Sequence, residues 1–146
     1  PQAIRAVRAM IERGVQVRNQ TVLLRGVNDS GEVLGQLLSR LTRVGIAPYY
    51  VFQCRPVTGV KERFQVPIAE GLRIIDAAKA RQNGFGKSVR YAMSHPRGKI
   101  EIIGALASGE TVFKFHQSKD DADNARIFTR ALPPSATWLD EDLNGI

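Results

Sequence analysis

The residues best suited to chemistry lie in one short run, Ser94-His95-Pro96-Arg97-Gly98-Lys99. Pro96 fixes one backbone φ, and Gly98 opens conformations closed to other residues. The run therefore reads as a turn passing directly into the apolar Ile100-Glu101-Ile102-Ile103. Lys99 stands at the mouth of that strand. An amine held there can attack a carbonyl when its surroundings keep part of it neutral. The same run also fits an ordinary solvated lysine after a turn, which is the commoner fate of lysine.

Other chemistries find less support. The single cysteine, Cys54, rules out an internal disulfide and cannot by itself hold a zinc ion or an iron–sulfur cluster. A reducing, cytoplasmic setting is expected from that cysteine usage. His95 and His116 fall in different elements, and neither has a second ligand at helical spacing. Gly84-Phe85-Gly86-Lys87-Ser88 resembles a phosphate loop only superficially, because Arg81 occupies the position where that motif needs its first glycine. The net charge of +7 is uneven: residues 1–116 carry 18 basic and 8 acidic side chains, residues 117–146 carry 3 and 6. A basic body admits a phosphate- or nucleic-acid-binding module as an alternative function. Because the arginines are spread over every element, nucleic acid is not the expected partner. No apolar run approaches the ~20 residues of a membrane span.

The elements that must position Lys99 follow from periodicity. Ile4, Val7, Met10 and Ile11 share a helical face that ends at Gly14. Val15–Leu24 reads as a strand, followed by a loop and a helix capped by Asp29 and Glu32, with Val33, Leu34, Leu37, Leu38, Leu41 and Val44 in one stripe. Tyr49–Cys54 is the next strand, and Arg55–Gln65 a long loop at its end, where α/β proteins place their chemistry. Pro67 opens a helix with Ile68, Leu72, Ile75 and Ala78 inward, and Lys87–Met93 is a third strand. The α–β–α–β–α–β order implies parallel strands. Ile100–Ile103 and Thr111–Phe115 then flank Ser108-Gly109 as an antiparallel hairpin. Asp121–Leu132 is expected to be helical before Pro133-Pro134, and Trp138, Leu139 and Leu143 form an apolar set that docks elsewhere.

Three runs together carry a family resemblance: Gln20-Thr21-Val22-Leu23-Leu24-Arg25-Gly26-Val27-Asn28-Asp29, Pro48-Tyr49-Tyr50-Val51-Phe52-Gln53-Cys54 and Pro96-Arg97-Gly98-Lys99. The chain resembles the C-terminal part of lysine 2,3-aminomutase and its relatives, radical SAM enzymes that also use pyridoxal phosphate. The resemblance implies an α/β fold, the C-terminal half of a (βα)6-type partial TIM barrel with parallel strands, followed by a β-hairpin and a helical or polar tail. It divides the chain into half-barrel units over 1–98 and a hairpin and tail over 99–146. It implies a [4Fe–4S] cluster that cleaves S-adenosylmethionine, and migration of an amino group between neighbouring carbons of an amino acid held on pyridoxal phosphate. The three-cysteine cluster motif is absent from this chain, in keeping with a C-terminal piece that would be inactive alone.

By family position Lys99 matches the Schiff-base lysine and Gln20 a residue that contacts S-adenosylmethionine. Two carboxylates that hold the lysine substrate's ε-ammonium are replaced by Arg55 and, roughly, Ser94. An arginine repels an ammonium, so lysine is a doubtful substrate and an acidic side chain suits Arg55 better. A member of the family without mutase activity remains open. A missing neighbour for the first strand would leave an open edge and an inner face carrying Val22, Leu24, Val51 and Val89. Self-association through that edge, or by exchange of the tail, is therefore expected.

Overall fold

The structure, a computed structural model, describes residues 2–146. Its order is α1 (Gln2–Glu12), β1 (Arg18–Leu23), α2 (Gly31–Arg43), β2 (Ala47–Gln53), α3 (Lys61–Phe64) and α4 (Ile68–Ala80). A 3-10 turn (Gly86–Ser88) then leads to β3 (Arg90–His95), β4 (Gly98–Ala105), β5 (Thr111–Ser118) and β6 (Ile127–Arg130). The fold is mixed α/β around one open six-stranded sheet in which each strand lies beside its successor. β1, β2 and β3 run parallel, joined by helical crossovers, and β3 to β6 run antiparallel.

α2 begins where the Ser30 hydroxyl accepts the Val33 N–H, at 3.1 Å. Serine rather than Asp29 is thus the cap, and the Asp29–Glu32 capping box does not form; the Asp29 carboxylate instead accepts the Gly26 N–H within the preceding turn, at 2.9 Å. Leu34 and Leu38 of α2 and Ile68, Leu72, Ile75 and Ala78 of α4 lie buried against Leu23, Val51, Tyr91 and Met93 of the sheet. Gly31 lets the two helices close up, since a Cβ there would overlap that of Ala77.

Three further expectations are corrected by the structure. Thr21 faces Val51 across the β1–β2 ladder, and Val22 faces Phe52. Alternation therefore sends Val51 into the helix-side core, which also holds Val89, while Val22 stays on the opposite face. Asp121–Leu132 is not a helix. The Asp120 side chain accepts the Ala122 N–H and the Asn124 side chain accepts the Ser118 N–H, so local polar groups divert the backbone into turns. Ile127–Arg130 then pairs with β5, and Phe128 stacks on Phe113 with ring centroids 5.2 Å apart. The third strand runs Arg90–His95 rather than Lys87–Met93, because Lys87 sits in the 3-10 turn.

The C-terminal apolar set docks in this same core: Trp138, Leu139 and Leu143 are all buried. The segment is gripped by two buried amides. The Gln53 Nε2 donates to the carbonyls of Val66 and Thr137, each at 2.7 Å, and its Oε1 accepts from the buried Tyr91 hydroxyl. Gln65 donates to the Cys54 carbonyl at 2.7 Å and accepts from the Thr137 hydroxyl at 2.8 Å. No helix among the described residues is long and apolar enough to cross a membrane.

Candidate functional site

The sheet face turned away from the helices carries Gln20, Val22, Tyr50, Phe52, Arg90, Ser94 and Lys99, none of which joins the helix-side core. Lys99 reaches this face through a two-residue turn, Pro96-Arg97, that pairs His95 with Gly98. Gly98 has φ 152°, and a Cβ there would meet the backbone of Gln117 and Ser118, so the turn requires glycine. The β4–β5 ladder shifts register between Lys99 and Ile100, which leaves Lys99 opposite Gln117 and, on its other side, opposite Ser94.

The Lys99 Nζ lies 4.5 Å from the centre of the Tyr50 ring and 5.4 Å from that of Phe52. These aromatic faces hold the ammonium in place through their quadrupoles. Burial, followed by the hydrogen bond to Tyr49, pushes the Tyr50 hydroxyl up to about 12. The Tyr50 hydroxyl donates to that of Tyr49 at 3.4 Å, and this bond, assisted by the charges of Lys99, Arg18 and Arg90, lowers Tyr49 against the opposing effect of burial. Burial and then the neighbouring Arg90 lower His116, whose ring lies 5.9 Å from Tyr50.

Three of the four residues singled out in the sequence converge. Arg55 leaves β2 and closes a fork on β3: its Nε and Nη2 donate to the Ser94 carbonyl at 3.0 and 2.8 Å. Arg55, Ser94 and Lys99 line one cavity of about 330 Å³, together with Gln117, Ser118 and Lys119. Gln20 is on the same face but outside that cavity, opposite Tyr50 on the edge strand. Tyr50, Phe52 and Lys119 were not picked out from the sequence. The alternation of Tyr50 and Phe52 would have placed both on one face, whereas nothing local brings Lys119 to Lys99. A larger cavity, about 730 Å³, opens at the other end of the parallel strands between Arg18, Tyr49, Arg90 and His116. It does not include Lys99, and chemistry in α/β sheets gathers at the carboxyl ends of the strands.

No family model matches the chain. It is 38% identical over 140 residues, 96% of its own length, to a protein of Aquifex aeolicus provisionally named L-lysine 2,3-aminomutase. It is 36% identical over 84 residues to the L-lysine 2,3-aminomutase of Clostridium subterminale, and 38% identical over 85 residues to that of Fusobacterium nucleatum. The chain belongs to the lysine 2,3-aminomutase family. Lysine 2,3-aminomutases are isomerases, and the aligned stretches span 37%, 20% and 20% of the three relatives, so this chain corresponds to about a third or less of each. The cavity beside Lys99 is marked by its charge. Its lining contains Arg55, Lys99 and Lys119 and no carboxylate.

Proposed function

We propose that this chain is the portion of a radical SAM amino-acid 2,3-aminomutase that holds pyridoxal phosphate, and that its substrate is not lysine. The observation that carries the reading is the position of Lys99, fixed by a glycine-dependent turn at the rim of a cavity on the open sheet face. The parallel strands β1, β2 and β3 would be the second half of a (βα)6 partial barrel, with the open face inward.

The residues present fit pyridoxal phosphate at its point of attachment: one amine, oriented by Tyr50 and Phe52, beside a cavity the size of a small ligand site. When bound, pyridoxal phosphate supplies an electron-poor ring that carries an amino group while it moves between neighbouring carbons. Lys99 would hold it, and Gln20 would contact S-adenosylmethionine farther along the same face. Arg55, with its fork closed on the Ser94 carbonyl, directs positive charge at the substrate's side chain and turns away a cationic one. The residues do not fit an iron–sulfur cluster: the chain has one cysteine, and no group of three His, Cys, Asp or Glu among the described residues could hold a metal. No step is assigned to a cluster on this chain. Self-association through the β1 edge or by exchange of the 136–146 segment belongs to the same proposal.

Borohydride reduction after incubation with pyridoxal phosphate tests the attachment. Wild-type chain should retain pyridoxal on a peptide containing Lys99, and Lys99→Ala should retain none there. Undiminished trapping in the variant would refute the assignment.

A further inference from the structure

The cavity beside Lys99 has a second lysine whose role the attachment of a cofactor does not explain. Lys119 follows β5, and its backbone N–H donates to the Arg97 carbonyl at 3.4 Å. The Ser118 hydroxyl donates to the same carbonyl at 3.0 Å. The start of this loop is thus tied to the turn that presents Lys99, and Lys119 comes to line the cavity with Arg55. The acidic residues that follow it are engaged elsewhere. Asp120 accepts the Ala122 N–H, Asp121 accepts from the Asn124 amide, and Asp123 pairs with Arg97 and Arg126 at 2.6 and 2.7 Å. Among the described residues, no carboxylate lies within ion-pair distance of Arg55, Lys99 or Lys119.

Three cations around about 330 Å³ without a counter-charge repel one another, and a bound anion relieves that repulsion. Two sources of the anion are chemically alike here, a carboxylate of the substrate and the phosphate of the cofactor. Arg55 favours the first. Its guanidinium is anchored by Nε and Nη2 to the Ser94 carbonyl, on the residue paired with Lys99, and Nη1 has no hydrogen-bond partner among the described residues. An amino acid held on the cofactor in place of Lys99 would have Arg55 within the same cavity as its side chain. Resting on the proposed function, we infer that Arg55 and Lys119 together bind the distal carboxylate of an acidic amino acid, and that Lys119 is a specificity-determining residue of this site.

The test uses the whole chain without cofactor. L-glutamate, L-glutamine, L-lysine and inorganic phosphate are titrated in turn at low ionic strength, following backbone amide shifts of Ser94 to Lys99 and of Lys119. Glutamate should saturate at these amides and glutamine and lysine should not. Arg55→Gln and Lys119→Gln should each weaken glutamate binding by about fivefold, a modest figure because both side chains are exposed. Arg55→Lys should retain most of the binding, and Lys87→Gln, on the 3-10 turn, should leave it unchanged. No saturable glutamate binding, equal binding of lysine, indifference to Lys119→Gln, or binding of phosphate alone would each overturn the inference. Pyridoxal trapping separates this failure from that of the proposed function. Trapping at Lys99 without glutamate binding sinks only the anion inference, and glutamate binding without trapping sinks only the cofactor assignment.

Discussion

Gln53 gives the sharpest test of how the C-terminal segment is held. Replacing it by methionine keeps the side chain's length and removes three hydrogen bonds at once. Two are donations at 2.7 Å to the carbonyls of Val66 and Thr137, and the third is the bond accepted from Tyr91. Each lost bond is worth about 0.5–1.5 kcal/mol net, and the stranded Tyr91 hydroxyl, in a side chain only 2% exposed, costs about 1–3 kcal/mol more. Gln53→Met should therefore destabilise by about 3–7 kcal/mol, a large part of the 5–15 kcal/mol typical of a domain. Tyr91→Phe alone should cost about 1–3 kcal/mol, since it strands the Gln53 carbonyl oxygen. Combined with Gln53→Met it should instead recover about 1–3 kcal/mol, because it removes the hydroxyl that the first change strands. The measurement is urea unfolding of the four proteins, followed by far-ultraviolet circular dichroism and by fluorescence of Trp138. That is the chain's one tryptophan, and it lies next to the gripped Thr137. In Gln53→Met the fluorescence transition should precede the dichroism transition. Additivity of the two single changes within about 0.5 kcal/mol, or coincident transitions in Gln53→Met, would refute the view that this amide pins the segment to the sheet.

Burial lowers His95, whose Nε2 faces the carbonyls of Leu139 and Asp140 while its Nδ1 accepts the Arg97 N–H, with Arg97 and Asp140 as its charged neighbours. Because its folded value is depressed, the stability it contributes is present above the ordinary histidine value of about 6.5 and is lost as pH falls through the folded value. Urea midpoints read from Trp138 should thus fall between pH 7 and pH 5. His116 shifts in the same direction, so the fall should be reduced but not abolished in His95→Gln. Gly98→Ala forces a side chain onto the backbone of Gln117 and Ser118, and should cost about 1–3 kcal/mol in thermal unfolding while also impairing pyridoxal trapping at Lys99. Asp123→Asn weakens the ion pairs to Arg97 and Arg126, and should speed amide hydrogen exchange through 118–126 without touching the helices.

Much of this protein is written in local spacing. The stripe Leu34, Leu38, Leu41 and the inward set Ile68, Leu72, Ile75, Ala78 mark α2 and α4 because residues three and four apart share a helical face. The turn at Pro96-Arg97-Gly98 and the hairpin at Ser108-Gly109 are legible because backbone freedom at single residues decides them. Runs of residues shared with the family point to Lys99 and Gln20, and departures from its pattern point to Arg55 and Ser94. Tertiary structure decided the rest. Pairing with β5 turned Ile127–Arg130 into a strand, because burying Phe128 on Phe113 outweighs a helical leaning in a segment whose aspartates already bend the chain. One residue of register determined that Val51 lies under the helices and Phe52 beside Lys99. The acid-free cavity joins Arg55, Lys99 and Lys119 from three separate places in the chain, two of them strand ends. Charges that far apart in sequence have no local signature; only the crossovers and the β4–β5 ladder bring them together.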